Sequence, residues 1–195
     1  MGESKSEYAI RPLGAATWDA VVHLAQKHNG VGGGCWCTWF HPACVEKGKS
    51  REGNRAYKER LVGEGNARAA LVFDSDVAVA WCEYGSPGEL PNIYHLKEYA
   101  AGLQMAPDYR ITCFFVDRGY RRKGVAAVVL RGALDLIATA GGGVVEAYPK
   151  DTLGKRTSGS FQYNGRRSLF ETAGFSYERS KGRNHCVMRR TVLQS

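Results

Sequence analysis

Residues 114–126 carry the sequence Phe114-Phe-Val-Asp-Arg-Gly-Tyr-Arg-Arg-Lys-Gly-Val-Ala126. The apolar run 111–116 predicts a strand that is buried on both faces. A basic turn follows it, and the apolar spacing after Gly124 predicts a helix. Such a helix start offers unpaired backbone N–H groups at the positive end of the helix dipole, and glycine lets a ligand approach the backbone closely. Three cations add charge there: Arg121, Arg122 and Lys123. The segment therefore predicts an anion site, best suited to a phosphate or pyrophosphate group.

The rest of the chain alternates between strand-like and helix-like patterns on both sides of this segment. Strands are predicted near 8–13, 68–73, 77–84, 144–148, 175–177 and 185–188, and helices near 17–28, 50–63, 124–140 and 168–173. The stretch 85–110 is irregular, with only a short helical pattern near 95–101. The predicted order is β-α-α-β-β-β-α-β-α-β-β. This order is typical of an α/β domain with a single mixed, mostly antiparallel central sheet flanked by helices.

Composition places the chain among ordinary globular proteins. It has 195 residues, 44% of them hydrophobic, and a mean hydropathy of −0.35. We expect a single domain over 1–195 with a disordered tail at 1–7, because no linker or repeat interrupts the apolar pattern. No apolar run approaches the roughly 20 residues that a membrane helix needs. The tail has no apolar core, so we expect no signal peptide and a cytoplasmic protein whose six cysteines are reduced.

Two motifs carry a resemblance to a known family. Arg121-x-x-Gly124-x-Ala126, placed after a hydrophobic strand, resembles the acyl-CoA-binding signature of the GNAT superfamily of N-acetyltransferases. Ser168-Leu-Phe-Glu-Thr-Ala-Gly-Phe175 is similar to the helix and Gly-Phe segment near the C-termini of such enzymes. The predicted element order also resembles that fold, and the likeness runs from Tyr8 to about Arg190.

The resemblance implies that acetyl-CoA is the co-substrate. Backbone N–H groups from Arg122 to Ala126 would hold its pyrophosphate. The strand Phe114 to Val116 would pair its main chain with the pantetheine arm, and one of its N–H groups would polarise the thioester carbonyl. The residues expected to bind the cofactor are Phe114, Phe115, Val116, Arg121, Arg122, Lys123, Gly124, Val125 and Ala126.

Direct transfer to an amine requires a base for the ammonium and a proton for the departing thiolate. Glu83, near the end of a strand, is the candidate base, directly or through water, and the alternative is an exposed strand-end carboxylate. The family often has a tyrosine acid four residues before the glycine of the Gly-Phe segment, but this chain has Phe170 there. Tyr163 is the candidate substitute, with aromatic packing as its alternative. A thiol with a pKa of about 8.5 also leaves with little help.

A second cluster of reactive side chains lies between the first two predicted helices. Cys35, Cys37, His41 and Cys44 are potential zinc ligands, but a closed zinc site normally has two more widely separated ligand pairs. We therefore predict no metal and interpret this apolar stretch as a loop that lines the acceptor pocket. A nucleophilic cysteine is not expected, because direct transfer needs no covalent intermediate.

Two aromatic residues on predicted strands have separate predictions. Trp81 is predicted to be a core residue, and Tyr148 is a pocket candidate with packing as its alternative.

Three functions remain open at this point. The favoured one is an acetyltransferase acting on a small amine or an amino-acid-like acceptor. The second is a related enzyme acting on a macromolecule, either aminoacyl-tRNA or a protein amine, because a net charge of +8 attracts anionic partners. The third is an acyl-CoA-binding or nucleic-acid-binding protein without catalysis, which the phenylalanine at 170 keeps open. The sequence names no acceptor, and it leaves open a homodimer formed through an edge strand.

Overall fold

The computed structural model describes residues 8–31, 33–45, 50–151 and 164–195, without the side chains of residues 44 and 45. In chain order, the strands and helices of these residues are β1 (Ala9–Pro12), α1 (Trp18–Gln26), α2 (Arg51–Gly63), β2 (Arg68–Asp74), β3 (Val77–Gly85), α3 (Leu96–Ala101), β4 (Tyr109–Val116), α4 (Val125–Thr139), β5 (Gly143–Ala147), α5 (Arg167–Thr172), β6 (Ser176–Lys181) and β7 (His185–Val192). None of the helices in this part of the chain combines the length and the apolar character that a membrane span requires.

The predicted strands and helices are all present, and the short helical pattern near 95–101 forms α3 between β3 and β4. The start of α2 follows its sequence signal, since the Ser50 side chain accepts a hydrogen bond from Gly53 N at 3.0 Å. The last two strands are longer than predicted. Most of β6 is polar and exposed, so it has little hydrophobic pattern and depends on pairing with β7.

The seven strands of the described residues form one sheet in the order β1-β2-β3-β4-β5-β7-β6. Only β4 and β5 run parallel, and the other neighbours are antiparallel, so the sheet is mixed and mostly antiparallel as predicted. The parallel pairing covers only three positions, from Tyr109–Val145 to Ile111–Ala147. Beyond it β4 continues to Val116, and no described strand pairs with this side of residues 112–116. The sheet therefore opens between β4 and β5.

A β-bulge lies in β4 beside this opening. Glu83 of β3 pairs with Cys113, whereas the next residue, Tyr84, pairs with Ile111. Thr112 is therefore the extra residue. A bulge changes the normal alternation of side chains between the two faces. As a result Thr112 and Cys113 both have contacts on the face that α1 and α2 cover.

Two apolar cores hold the sheet between its helices. On one face, α4 buries residues spaced three or four apart, including Val129, Ala133 and Ile137. Gly132 has no side chain there because a Cβ would lie 2.7 Å from Ile10 of β1. On the other face, α1 and α2 pack against β2 and β3, with Trp81 in the core as predicted. The two cores fix the positions of the loops at the open end of the sheet.

Candidate active site

The loop between β4 and α4 forms a cradle of backbone N–H groups. Asp117 begins it, and its Oδ1 atom accepts a hydrogen bond from Gly119 N at 2.8 Å. Arg122 and Gly124 then adopt positive φ angles of 64° and 79°, which turn the backbone into α4. A Cβ added to Gly124 would meet nothing within 4 Å, so open space lies in front of the helix start. The glycine is needed here for its backbone conformation and leaves that space free.

The N–H groups of residues 122–126 donate no hydrogen bond to any acceptor in the described part of the chain. Arg121, Arg122 and Lys123 are exposed around them. Lys123 Nζ lies 5.4 Å from the centre of the Tyr120 ring. The structure thus gathers the predicted basic residues and unpaired donors on one turn at a helix N-terminus, an arrangement that suits a phosphate group.

The open side of β4 lies directly before this cradle. Phe114 points into the α4 core, 5.8 Å from the ring of Phe170. Phe115 lies on the other face, where its ring is 5.0 Å from those of Trp81 and His28. The two side chains hold the strand from both faces, and its unpaired main chain faces the gap toward β5. An extended ligand can add to such an edge as a further strand.

Asp117 ties this loop to the end of α1, a link that sequence patterns did not show. Lys27 Nζ lies 2.7 Å and His28 Nε2 lies 3.3 Å from Asp117 Oδ2. Burial alone would raise the pKa of this carboxyl, but the hydrogen bonds from Lys27, Gly119 and His28 lower it to about 2. The charged aspartate therefore fixes the cradle against α1.

Glu83 is buried on the α1 and α2 face, next to the bulge, and is not an exposed strand-end carboxylate. Lys58 Nζ lies 2.6 Å from its Oε1 atom, and Thr112 Oγ1 donates to its Oε2 atom at 2.8 Å. His41 Nε2 is 3.4 Å away. Burial would raise the pKa of Glu83, but Lys58 and His41 outweigh this and lower it to about 2. The carboxylate is therefore ionised and fully engaged.

Lys58 was not predicted from the sequence, and His41 was predicted only as a potential metal ligand. In the structure, Lys58 Nζ also lies 3.0 Å from His41 Nε2, and His41 Nδ1 is 3.1 Å from the carbonyl oxygen of Glu89. Lys58 lies on the buried side of α2, although lysine is rarely buried without a partner. Its position one turn before Leu61 on an otherwise apolar helix face was the available signal.

The three cysteines near this network are protonated thiols. Cys37 Sγ contacts Cys113 Sγ at 2.9 Å, and Cys37 N donates to Cys35 Sγ at 3.4 Å. The contact with Cys113 and burial raise the pKa of Cys37, and the contact with Cys37 together with burial raises that of Cys35. Thiols that remain protonated are poor nucleophiles. In the described residues, no three His, Cys, Asp or Glu side chains are grouped so that they could hold a metal ion.

A second buried carboxylate lies on β5 on the same side of the sheet. Glu146 accepts hydrogen bonds from the hydroxyls of Tyr99 at 2.6 Å and Tyr148 at 2.8 Å. Arg189 Nη2 pairs with its other oxygen at 2.6 Å. Burial raises the pKa of Tyr148, which is only 1% exposed. Tyr148 therefore packs inside this network, in line with the alternative that its sequence position left open.

The loop after α1, which was predicted to line the acceptor pocket, contacts the irregular stretch 85–110. The rings of Trp39 and Tyr94 stack with their centres 4.0 Å apart. Asn92 donates from its side chain to the carbonyl oxygen of His41 at 2.7 Å and from its backbone to that of Phe40 at 3.1 Å. The loop after α1 and the stretch 85–110 thus form one surface next to Glu83, since His41 contacts both Glu83 and the carbonyl oxygen of Glu89.

Phe170, at the position where a tyrosine acid was expected, is a packed core residue. Phe170 is completely buried, and its ring lies 5.2 Å from that of Phe175. Tyr163, the proposed substitute, lies outside the described residues, as do the predicted tail at 1–7 and most of the polar loop after Asp151. The general acid therefore stays a prediction.

Comparison with known proteins identifies the fold. No protein-family model matches the sequence, and no curated protein matches it. Among solved structures, the chain is similar to a GNAT-family protein of Desulfovibrio desulfuricans, with a TM-score of 0.55 and 14% identity over 95% of this chain and 99% of that one. It is also similar to the PaiA N-acetyltransferase of Thermoplasma acidophilum in complex with coenzyme A, with a TM-score of 0.51 and 14% identity over 95% and 99% of the two chains.

A third similar structure is the ribosomal-protein-S18-alanine N-acetyltransferase of Escherichia coli, with a TM-score of 0.50 and 13% identity over 97% and 96% of the two chains. All three likenesses span nearly the whole of both chains. The chain therefore has the fold of the GNAT acetyltransferases, which confirms the α/β class and the family fold expected from residues 114–126 and 168–175. At these identities the likeness concerns the fold alone, so activity has to be argued from the site.

Proposed function

We propose that the chain is an N-acetyltransferase that moves an acetyl group from acetyl-CoA to an amine by direct attack. One observation carries the proposal: the unpaired edge of β4 leads straight into a cradle of free N–H groups at the start of α4. An extended pantetheine arm with a pyrophosphate at one end needs these two features in this order.

In the proposed complex, the N–H groups of residues 122–126 hold the pyrophosphate, and Arg121, Arg122 and Lys123 add charge. The main chain of Phe114, Phe115 and Val116 pairs with the pantetheine arm. A backbone N–H of this strand donates to the thioester oxygen and stabilises the negative charge that develops there. Because the donors are backbone groups fixed by two cores, they need no rearrangement when acetyl-CoA binds.

Proton removal from the acceptor ammonium requires a base in addition to the acetyl-CoA site. Glu83 stays the proposed base, acting through water, and it lies beside the bulge at which β4 turns away from β5. A carboxylate with a pKa of about 2 accepts a proton weakly at neutral pH. We therefore propose that Glu83 works together with His41 and Lys58, which share its Oε1 atom.

The test of this role is the kinetics of Glu83→Gln, which removes the charge and keeps the shape. If Glu83 is the base, kcat/KM falls by about 100-fold or more, while the Kd for acetyl-CoA and the circular dichroism spectrum stay those of the wild type. Thr112→Val is the matched control, since it removes one hydrogen bond to Glu83 and leaves the carboxylate. Loss of activity together with weaker acetyl-CoA binding, or an equal loss in Thr112→Val, would mean that Glu83 only holds the structure together.

For the departing thiolate, we propose Tyr163 as the acid, with unassisted departure of the thiol as the alternative. Tyr163→Phe is therefore expected to lower kcat by more than KM. An unchanged kcat would assign the step to the thiol itself.

The acceptor is proposed to be a small amine or an amino-acid-like molecule. The surface formed by the loop after α1 and the stretch 85–110 lies next to Glu83, the proposed base, and we propose that it binds a compact substrate there. A protein amine is the second candidate, favoured by the likeness to an enzyme that acetylates an alanine of a ribosomal protein. We further propose that the enzyme works in the cytoplasm, and that a homodimer, if formed, uses an edge strand.

Acetyl-CoA binding by calorimetry tests the cofactor half of the proposal. Gly124→Asn and Gly124→Asp form a matched pair, because both residues tolerate positive φ and differ chiefly in charge. We expect Gly124→Asp to lose binding and Gly124→Asn to weaken it far less, while both keep the wild-type circular dichroism spectrum. Equal losses in the two variants, or no binding by the folded wild type, would overturn the cofactor assignment.

A further inference from the structure

A pocket of about 210 Å³ lies between the end of α1 and the start of α2, outside the proposed cofactor site. Its lining residues are Gln26, Asn29, Gly30, Trp36, Arg51, Glu52 and Arg55. Since a water molecule occupies about 30 Å³ in the liquid, the pocket has room for a phosphate or a small carboxylate with some water.

Two buried donors that line this pocket lack a partner in the described residues. They are the indole Nε1 atom of Trp36 and the Nε atom of Arg55. Trp36 is only 3% exposed, so its N–H group is also shielded from bulk water. A buried donor without an acceptor is costly, and such a group in a native structure usually has a ligand or water as its partner.

The indole nitrogen of Trp36 lies close to Gly30, which also lines the pocket. A Cβ on Gly30 would lie 2.8 Å from Trp36 Nε1 and 3.3 Å from the Arg51 side chain. Gly34 likewise leaves room for Arg51, whose Nε atom would lie 3.2 Å from a Cβ there. The two glycines therefore let Arg51 lie across the loop, close to the indole nitrogen.

The electrostatics of the pocket favour an anion. The side chains of Arg51 and Arg55 carry two positive charges, and Glu52 carries one negative charge, so the lining has a net positive charge. The pocket also lies at the first turn of α2, where the backbone N–H groups of Arg51 and Glu52 donate no hydrogen bond to a described residue. The positive end of the helix dipole adds to the field of the two arginines.

We infer that this pocket binds one small oxyanion group, a phosphate or a carboxylate, through the side chains of Trp36, Arg51 and Arg55. Arginine and indole N–H groups are donors only, so an acceptor that carries negative charge satisfies both. Gln26 and Asn29 flank Lys27 and His28 in the chain. Lys27 and His28 contact Asp117, which lies in the loop between β4 and α4. The oxyanion site is therefore next to the proposed active site and separate from its N–H cradle.

The four tryptophan indole N–H signals in a ¹⁵N–¹H spectrum give a direct readout, and Trp36→Phe identifies the relevant one. Inorganic phosphate, and separately acetate, is titrated into the full chain at constant ionic strength. We expect a saturable shift of the Trp36 signal. Binding should weaken at least tenfold in the Arg51→Gln/Arg55→Gln double variant and strengthen in Glu52→Gln, which removes the one carboxylate among the described lining residues.

Arg60→Gln is the matched control, because it removes an exposed arginine from the other end of α2. It should bind phosphate like the wild type. A Trp36 signal that does not respond to either anion, or that responds equally in the double variant, would overturn the inference. The Arg51→Gln/Arg55→Gln and Glu52→Gln variants keep the test valid if Trp36→Phe fails to fold.

Two further titrations identify the source of the anion. If coenzyme A shifts the Trp36 signal of the wild type and 3′-dephospho-coenzyme A does not, the pocket holds the cofactor's 3′-phosphate. If neither shifts it, the oxyanion belongs to the acceptor or to a free metabolite. Gly124→Asp separates this inference from the proposed function, since it should lose coenzyme A and still bind phosphate in this pocket.

Discussion

Lys58 Nζ lies 2.6 Å from Glu83 Oε1, and the two side chains are 6% and 1% exposed. In an ion pair this far from solvent, each side chain neutralises the charge of the other, because either one alone would be an uncompensated buried charge. Glu83 comes from the central sheet and Lys58 from α2. The pair therefore fastens α2 to the strand that borders the proposed active site.

Replacing Lys58 by methionine keeps the apolar stem and removes the ammonium. We expect the free energy of unfolding to fall by about 3–5 kcal/mol, since Glu83 then stays buried beside only His41 and Thr112. Urea denaturation measures the change. The Lys58→Met/Glu83→Gln double variant should recover part of the loss, and a double variant no more stable than Lys58→Met would contradict this account.

The low pKa of Glu83 predicts a specific dependence of stability on pH. The pKa falls from 4.5 in the reference state to about 2 in the fold. A carboxyl with a depressed folded-state pKa stabilises the protein above its unfolded pKa and loses that contribution as the pH falls. The stability difference between wild type and Glu83→Gln should therefore shrink by about 3 kcal/mol between pH 4.5 and pH 2. A difference that stays constant over this range would show that the shift is absent.

The contacts of Asp117 predict that this residue strengthens acetyl-CoA binding by the loop between β4 and α4. Asp117→Asn keeps an oxygen for Gly119 N but removes the charge that Lys27 and His28 share. We expect the Kd for acetyl-CoA to rise about three- to tenfold, or about 0.7–1.4 kcal/mol, because the cradle is held less firmly against α1. Asp76→Asn, at an acid 97% exposed, is the control for charge alone. Similar Kd changes in both variants would attribute the effect to net charge.

Phe170→Tyr tests whether the tyrosine position of the family can be restored. The added hydroxyl enters the cluster of Phe114, Phe170 and Phe175, which has no partner for it among the described contacts. We expect the free energy of unfolding to fall by about 1–3 kcal/mol, with no gain in kcat. Thermal unfolding and steady-state kinetics measure both quantities. A stable variant with raised kcat would mean that the hydroxyl reaches the reacting thiol.

Much of the fold follows from local signals. The apolar run before Val116, the turn residues up to Gly124 and the Ser50 cap each specify a structure within a few residues. The structure confirms all three. α3 was only a weak pattern, because its six residues are too few to show clear helical periodicity. The polar strand β6 shows the same limit, since its length depends on pairing with β7.

The candidate cofactor loop was predictable for the same reason. Its donors, its glycine and its cations lie next to one another in residues 121–126, so their chemistry is visible in sequence. The unpaired edge of β4 was not visible, because it depends on where β4 and β5 separate. The bulge at Thr112 was also not predictable, since the hydrophobic pattern of an apolar strand is the same with or without one extra residue.

The sequence by itself determined the strands and helices, their order and the basic turn before α4, because short-range backbone conformation and hydrophobic periodicity set these. Only the tertiary structure decided which charges meet. Lys58 and Glu83 are 25 residues apart, and Lys27 is 90 residues from Asp117. Such pairs form because packing of α1 and α2 on the sheet brings side chains from distant segments within 3 Å of each other. A local sequence pattern does not specify how α1 and α2 pack on the sheet, so these pairs can be identified only from the folded structure.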